Sequence, residues 1–284
     1  MLRDAAAPPS STPVDAAASA EFVLRWADNA LIHSQRLGEW TGHGPVLEED
    51  IALANIALDL LGQARMLLSH AGGLLQPARS EDDLAYFRDA PAFRNVTALE
   101  LPNSGVHAAR GAQGDYAFTI VRHALYAAYM LLIWDRLLAS TDSTLGAIAA
   151  KAIKETRYHW RHASDWLIKL GDGTEESHQR MQRALDQFLP YTNEWFAFDA
   201  LDLPHLASSG ELLADPEVQL AALGKELRKA WESILAPVLA EATLTWPAPS
   251  ALQTRGRFGL HGEHLSLLLA EMQSVARAHP GAQW

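Results

Sequence analysis

Six long segments of this chain carry apolar residues at the three-to-four-residue spacing of amphipathic helices, which leaves few folds open beyond a helical bundle. They span residues 20–40, 48–71, 115–139, 143–170, 175–198 and 216–242. Gly42-His43-Gly44-Pro45 breaks the chain after Trp40. Glu48, Glu49 and Asp50 then fill the first turn of the next segment, where they oppose the positive end of the helix dipole. The first two helices are therefore expected as an antiparallel hairpin. Asp142 caps the fourth segment, and Gly171-Asp172-Gly173-Thr174 closes it and starts the fifth. Between residues 72 and 114 the pattern fails at Gly72-Gly73, Pro77, Pro91, Pro102-Asn103 and Gly105, with at most a short helix at 80–88. A crossing this long sets a second helical pair beside the first, the topology of ferritin-like bundles. Beyond Gly262 a final amphipathic helix is expected over 263–278. The predicted architecture is all-α: a ferritin-like helical bundle with a long crossover connection and extra C-terminal helices.

Such a length, 284 residues, fits one domain when the helices are long, so residues 20–284 are expected as a single helical domain. Residues 1–19, rich in Ala, Pro, Ser and Thr, lack the cationic start and apolar core of a signal peptide and are expected as a disordered tail. Nine tryptophans and a half-apolar composition supply a large core or an obligate interface. A net charge of −11 with no Lys/Arg block argues against nucleic acid or an anionic membrane as partner. The absence of cysteine excludes disulfides, Cys-ligated zinc and iron–sulfur centres in this chain. The longest uninterrupted apolar run, 124–134, has 11 residues, short of the ~18 of a membrane span, and a cytoplasmic location is expected.

A di-iron centre in such a bundle takes one Glu from each of two helices and a Glu-x-x-His pair from each of the other two. Here the third helix has no acid from Tyr116 through Trp134, and the second carries Asp59-Leu60-Leu61-Gly62 where Glu-x-x-His should stand. Within residues 51–61 the only polar side chains are Asn55 and Asp59, one turn apart, with Gln63 a turn further on. Burial of Asp59 without a partner would cost several kcal/mol. Candidate partners are Arg122, His123, Tyr126 and Tyr129 on the third helix, and Lys151, Lys154, Glu155, Tyr158, His159 and His162 on the fourth. One reading is a metal site built from Asp59, Glu155, His159 and His162, which would make the chain a di-iron oxidase in its own right. The other is a vestigial polar cluster of Asn55, Asp59, Gln63, Arg122, Glu155 and His159, in which Arg122 or a lysine supplies the positive charge. The ligand count favours the second, with no metal and no catalytic residue in this chain.

Glu175-Glu176-Ser177-His178 contains a true Glu-x-x-His but opens a helix, so capping is the expected role. His261-Gly262-Glu263-His264 lacks a second ligand-bearing helix and reads as loop and helix-start hydrogen bonds. No dinucleotide fingerprint, phosphate-binding loop or nucleophile elbow occurs.

Several long strings bear a family resemblance. They are Ser34-Gln35-Arg36-Leu37-Gly38-Glu39-Trp40-x-Gly42-His43, the run from Glu49-Asp50-Ile51 through Leu58-Asp59-Leu60-Leu61-Gly62-Gln63-Ala64-Arg65, and Ala150-Lys151-Ala152-Ile153-Lys154-Glu155-x-Arg157-Tyr158-His159. Gly259-Leu260-His261-x-Glu263-His264-Leu265, Leu269-Ala270-Glu271-Met272-Gln273 and Pro280-Gly281-x-Gln283-Trp284 continue them. Over residues 20–284 the chain resembles the PaaC-type structural subunits of the bacterial phenylacetyl-CoA ring epoxidases. That resemblance implies a ferritin-like fold and a non-catalytic role beside a homologous di-iron subunit of the PaaA type. The partner would insert one atom of dioxygen into the ring of phenylacetyl-CoA, with electrons from NADPH through a flavin and iron–sulfur reductase subunit. The resemblance also implies contact with the CoA moiety at Glu48, Glu49, Asp50 and Ile51, and at Leu203, Pro204 and His205.

Overall fold

The computed structural model describes residues 13–107, 109, 112–206 and 215–282. The chain runs α1 (Pro13–Gly38), α2 (Leu47–Leu74), α3 (Glu81–Tyr86), α4 (Thr97–Glu100), α5 (Tyr116–Leu137), α6 (Ser143–Gly171), α7 (Glu175–Phe188), α8 (Leu203–Leu206), α9 (Pro216–Glu241), α10 (Glu263–Met272) and α11 (Ser274–Ala278). No strand occurs among the described residues. The architecture is all-α and ferritin-like: α1 and α2 form one hairpin, α5 and α6 the other, and residues 75–115 cross between them.

Local chemistry sets most helix boundaries where the sequence places them. Asp115 caps α5 by accepting from the Ala117 N–H at 2.9 Å, and Asp142 caps α6 by accepting from Thr144 and Leu145 at 3.0 and 3.1 Å. Thr174 and Ser177 form a reciprocal capping box on α7. Three expectations need correction. Part of the tail expected as disordered is helical, because α1 opens at Pro13: Ala16, Ala17 and Ala18 are the best helix formers, and a proline costs nothing at a first helical position. Residues 1–12 of that tail lie outside the described residues. The fifth segment stops as an α-helix at Phe188 and continues as a 3-10 helix over Leu189–Phe196, since Pro190 cannot donate to the preceding turn. The last helix breaks at Gln273, whose buried amide donates to the carbonyls of Ala85 and Arg88 at 3.0 Å each.

The core is centred on α5, which is buried without interruption from Ala117 through Met130. Aromatic side chains close one side of it: the rings of Trp195 and Trp231 lie 6.0 Å apart, Tyr126 packs edge-on to Trp195 at 5.7 Å, and the Tyr129 hydroxyl donates to the Trp195 carbonyl at 2.8 Å. Buried charges fasten the irregular segments to this core. Asp28 of α1 holds the crossover through Arg88 and the Arg94 N–H. Glu194 accepts from Thr97 N–H, Thr254 Oγ1 and Arg257 N–H at 3.0, 2.6 and 2.8 Å, tying the C-terminal segment to the crossover. Asp202 accepts from the Arg257 guanidinium at 2.7 and 2.9 Å.

By length and average hydropathy, α2 and α5 could each cross a membrane, although polar residues interrupt the apolar sequence of both. Burial separates the two. The window in α5 is almost wholly enclosed by the rest of the chain, as for the central helix of a water-soluble bundle, whereas less than half of the α2 window is covered.

Candidate functional site

At the centre of the α1–α2–α5–α6 bundle, where ferritin-like proteins hold metal, two separate polar pairs cross the helix interfaces. His33 of α1 meets His123 of α5, Nε2 to Nδ1, at 3.0 Å. His159 of α6 meets Asp59 of α2 at 3.1 Å, and the rings of His123 and His159 lie 5.6 Å apart. A cavity of about 10 Å³ opens beside His123, His159, Gln63 and Tyr126, space on the scale of one water molecule. His33 Nδ1 and His123 Nε2 are buried without a hydrogen-bond partner among the described residues.

Burial keeps the His33–His123 pair neutral. Burial, reinforced by Arg122 and His159, pushes His33 well below the ordinary histidine range. His123 moves the same way, through burial first and then the nearby His33, His159, His162 and Arg122. Both imidazoles are uncharged at neutral pH, and in their shared hydrogen bond one donates while the other accepts.

The six residues grouped from the sequence do not form one cluster. Gln63 donates to Glu155 at 2.9 Å, with Lys151 Nζ 3.6 Å from the same carboxylate, while Asp59 and His159 pair on their own. Asp59 is not the buried acid expected, since its side chain is 40% exposed. Asn55 faces solvent, because the outward side of α2 already includes residues 51, 55 and 58. Arg122 is fully buried but points to the crossover, donating to Leu101 O at 2.7 Å and to Asn103 Oδ1. It pairs with neither Asp59 nor Glu155, whose partners are His159 and Lys151. Burial and the neighbouring Arg36 lower the Arg122 pKa to about 9, against the raising effect of Glu39.

The four residues at the start of α2 also part company. Glu49 is buried, accepting from the Tyr116 hydroxyl at 2.5 Å and lying 2.8 Å from His162 Nε2, while Glu48 and Ile51 remain exposed. Burial and the Glu49 carboxylate push the Tyr116 phenol upward. Asp50 accepts from the Gly42 and Gly44 N–H groups at 2.7 and 3.1 Å, closing the turn between α1 and α2. Leu203, Pro204 and His205 belong to α8, where His205 stacks on Phe22 at 4.1 Å and Arg136 donates to the Leu206 carbonyl. Tyr116 and Arg136 sit near opposite ends of α5, so the two zones are separated by about 30 Å of helix.

Both histidine-bearing motifs outside the core make hydrogen bonds. His178 Nδ1 lies 2.7 Å from the Gly171 carbonyl. His261 Nδ1 lies 2.8 Å from Glu100 Oε2 and its Nε2 3.0 Å from the Phe93 carbonyl, while Gly262 N–H donates to Glu100 Oε1 at 2.7 Å. Burial alone would lower the His261 pKa, but the hydrogen bond and charge of Glu100, with the Phe93 carbonyl, raise it overall.

One core residue, His33, carries almost no signal in the sequence. It is a polar side chain following Ala30-Leu31-Ile32, one turn beyond Asn29, and nothing in the chain order says that α5 will bring a second histidine against it.

The donors at this centre do not fit a di-iron group. Four carboxylates are required, but α5 supplies none, Asp59 is half-exposed and paired, and Glu155 is engaged by Gln63. Among the described residues no three His, Cys, Asp or Glu side chains converge as a metal site.

Fold and site together define a ferritin-like bundle whose centre holds one imidazole pair, His33–His123, and one imidazole–carboxylate pair, His159–Asp59. The chain belongs to the family of phenylacetic acid catabolic proteins, whose family model (PaaA_PaaC) matches residues 4–284 and so extends into the segment expected from composition to be a tail. It is similar to the C-type subunit of the 1,2-phenylacetyl-CoA epoxidase of Escherichia coli (strain K12), with 45% identity over 263 residues, 93% of this chain and 98% of that protein.

Proposed function

We propose that this chain is the structural, non-catalytic subunit of a multicomponent phenylacetyl-CoA epoxidase acting in aerobic phenylacetate catabolism in the cytoplasm. The observation that carries the proposal is the donor set at the bundle centre: His33, His123 and His159 stand where a di-iron site needs carboxylates. Oxygen chemistry then belongs to a homologous di-iron subunit, which this chain stabilises, and reducing equivalents come from NADPH through a flavin and iron–sulfur reductase subunit. The 45% identity to a subunit of a phenylacetyl-CoA epoxidase supports the choice of pathway.

Two measurements test it. Elemental analysis of the chain purified alone from iron-supplemented cells is expected to find negligible iron; about two irons per chain would make it an oxidase in its own right. Epoxidation of phenylacetyl-CoA by the catalytic subunit and reductase is expected to be lost when this chain is omitted and regained when it is added. Full activity without it would sink the structural role.

Contact with the CoA moiety is proposed at α8 and, at the start of α2, at Glu48 and Ile51, the two of its four residues that remain exposed. Pro204→Asp adds a charge at an exposed position and is expected to weaken binding of CoA thioesters to the assembled complex about tenfold, equivalent to ~1.4 kcal/mol, by isothermal calorimetry. Unchanged affinity would remove α8 from the site.

A further inference from the structure

Three buried polar atoms without a partner belong to side chains around one small space. Trp26 of α1, with His123 and Trp134 of α5, lines the cavity of about 10 Å³ at the bundle centre, and none of the three is more than 2% exposed. Trp26 Nε1, Trp134 Nε1 and His123 Nε2 have no hydrogen-bond partner among the described residues. Gln63 of α2 and Thr156 of α6 line the same space, so all four bundle helices contribute to its wall. A void of this size walled by hydrocarbon stays dry, but one whose walls offer two to four hydrogen bonds holds a water molecule. Left unpaired, each of the three nitrogens would carry the full desolvation cost of a missing hydrogen bond.

Counting donors and acceptors fixes the arrangement. An indole N–H can only donate. A water molecule has two lone pairs and two protons, so Trp26 and Trp134 fill its accepting positions and leave it only protons to give. His123 Nε2 must then accept, which puts the proton of this uncharged imidazole on Nδ1. From there it is donated to His33 Nε2, 3.0 Å away, and His33 carries its own proton on Nδ1. The opposite proton order would make His123 Nε2 a third donor facing two lone pairs. The second water proton has acceptors in Thr156 Oγ1, whose own proton goes to the Ala152 carbonyl at 2.9 Å, and in the Oε1 of Gln63, whose amide nitrogen donates to Glu155 at 2.9 Å.

We propose that one water molecule is a fixed part of this centre, accepting from Trp26 and Trp134 and donating to His123, and that it holds His33 and His123 as Nδ1–H tautomers. It ties α1 to α5 and reaches a third helix, a polar cross-link at the place where ferritin-like relatives use metal. The two indole N–H groups oppose a cation in the same space. An anion such as chloride would accept from both indoles and from His123 as well, which requires the other tautomer. This inference rests on packing at the bundle centre and does not depend on the proposed epoxidase role.

Nuclear magnetic resonance of the isotope-labelled full-length chain reads both parts of the proposal. The two imidazoles identify themselves by the nitrogen–nitrogen coupling across their shared hydrogen bond, to which His123 contributes Nδ1 and His33 contributes Nε2. The shared proton is expected on the coupled Nδ1, with Nε2 unprotonated in both rings. The indole protons of residues 26 and 134, assigned through Trp26→Phe and Trp134→Phe, are expected to show Overhauser contacts to water. A shared proton on the coupled Nε2, or indole protons with no water contact, would each overturn the proposal. A proton that moves from the coupled Nε2 to the coupled Nδ1 when chloride is exchanged for gluconate would overturn it in favour of an anion.

Discussion

Asp28→Ala is expected to destabilise the fold by about 3–5 kcal/mol, the cost of leaving one member of a buried ion pair without its partner. Asp28 is fully buried and accepts from both terminal nitrogens of Arg88, one of them at 3.0 Å, and from the Arg94 N–H at 2.8 Å. Without the carboxylate the Arg88 guanidinium keeps the Ala92 carbonyl at 2.9 Å and the face of Phe93 at 4.2 Å, neither of which carries a full negative charge. The effect should spread beyond the pair, since Asp28 fastens the crossover that joins the two helical hairpins. An Asp28→Leu/Arg88→Met double variant removes both charges and should cost less than Asp28→Ala, although it still strands the Arg94 N–H at about 1–3 kcal/mol. Urea unfolding followed by circular dichroism gives the comparison. Asn55→Ala, on the solvent side of α2, should stay within about 0.5 kcal/mol of wild type. A loss below ~1 kcal/mol in Asp28→Ala would show that the crossover is held by other contacts.

Acid should unfold this protein earlier than its carboxylates alone require. His33 and His123 are held neutral in the fold, with pKa values well below 6.5, but take up protons near that value once the chain unfolds. Their effect on stability is therefore nil above about pH 6.5 and grows as pH falls below it, with a limiting slope of roughly 2.7 kcal/mol per pH unit for two protons. His261 works in the opposite sense. Its folded-state pKa is raised by Glu100, so its contribution is complete below the unfolded pKa and is lost as pH rises through the folded one. The two effects together put the stability maximum close to neutrality. Denaturation free energies measured between about pH 7.5 and 5.5 should fall steeply in wild type and less so in a His33→Phe/His123→Leu variant. An equal slope in both would mean that the two imidazoles are not the groups that titrate.

Six long helices were legible because each carries its own periodicity and much of its own punctuation: Asp142, Thr174 and the acids of residues 48–50 act within a turn of where they stand. The errors at Pro13, Pro190 and Gln273 arose where a composition typical of tails, a proline, or a long-range side-chain bond decided the end of a helix. The site was less legible. Asp59, Gln63, Glu155 and His159 were drawn together because helical spacing puts them on facing sides of α2 and α6, and two of the expected contacts between those helices occur, as separate pairs. Arg122 was misassigned, since the rotation of α5 about its axis turns that residue toward Asn103 and brings His123 to the centre.

Local patterning, read along one dimension, thus decides that the chain is helical, that its helices form two hairpins joined by a long crossover, and that α5 lacks the acids a di-iron centre needs. Tertiary packing alone decides that His33 meets His123, that Glu49 is enclosed with Tyr116 and His162, and that α2 keeps an uncovered apolar ridge. Periodicity and capping act over a few residues and are written into them, whereas the depth and facing of a side chain depend on how each helix is rotated against its neighbours. That rotation is set by the summed packing of the whole bundle and by no single segment of it.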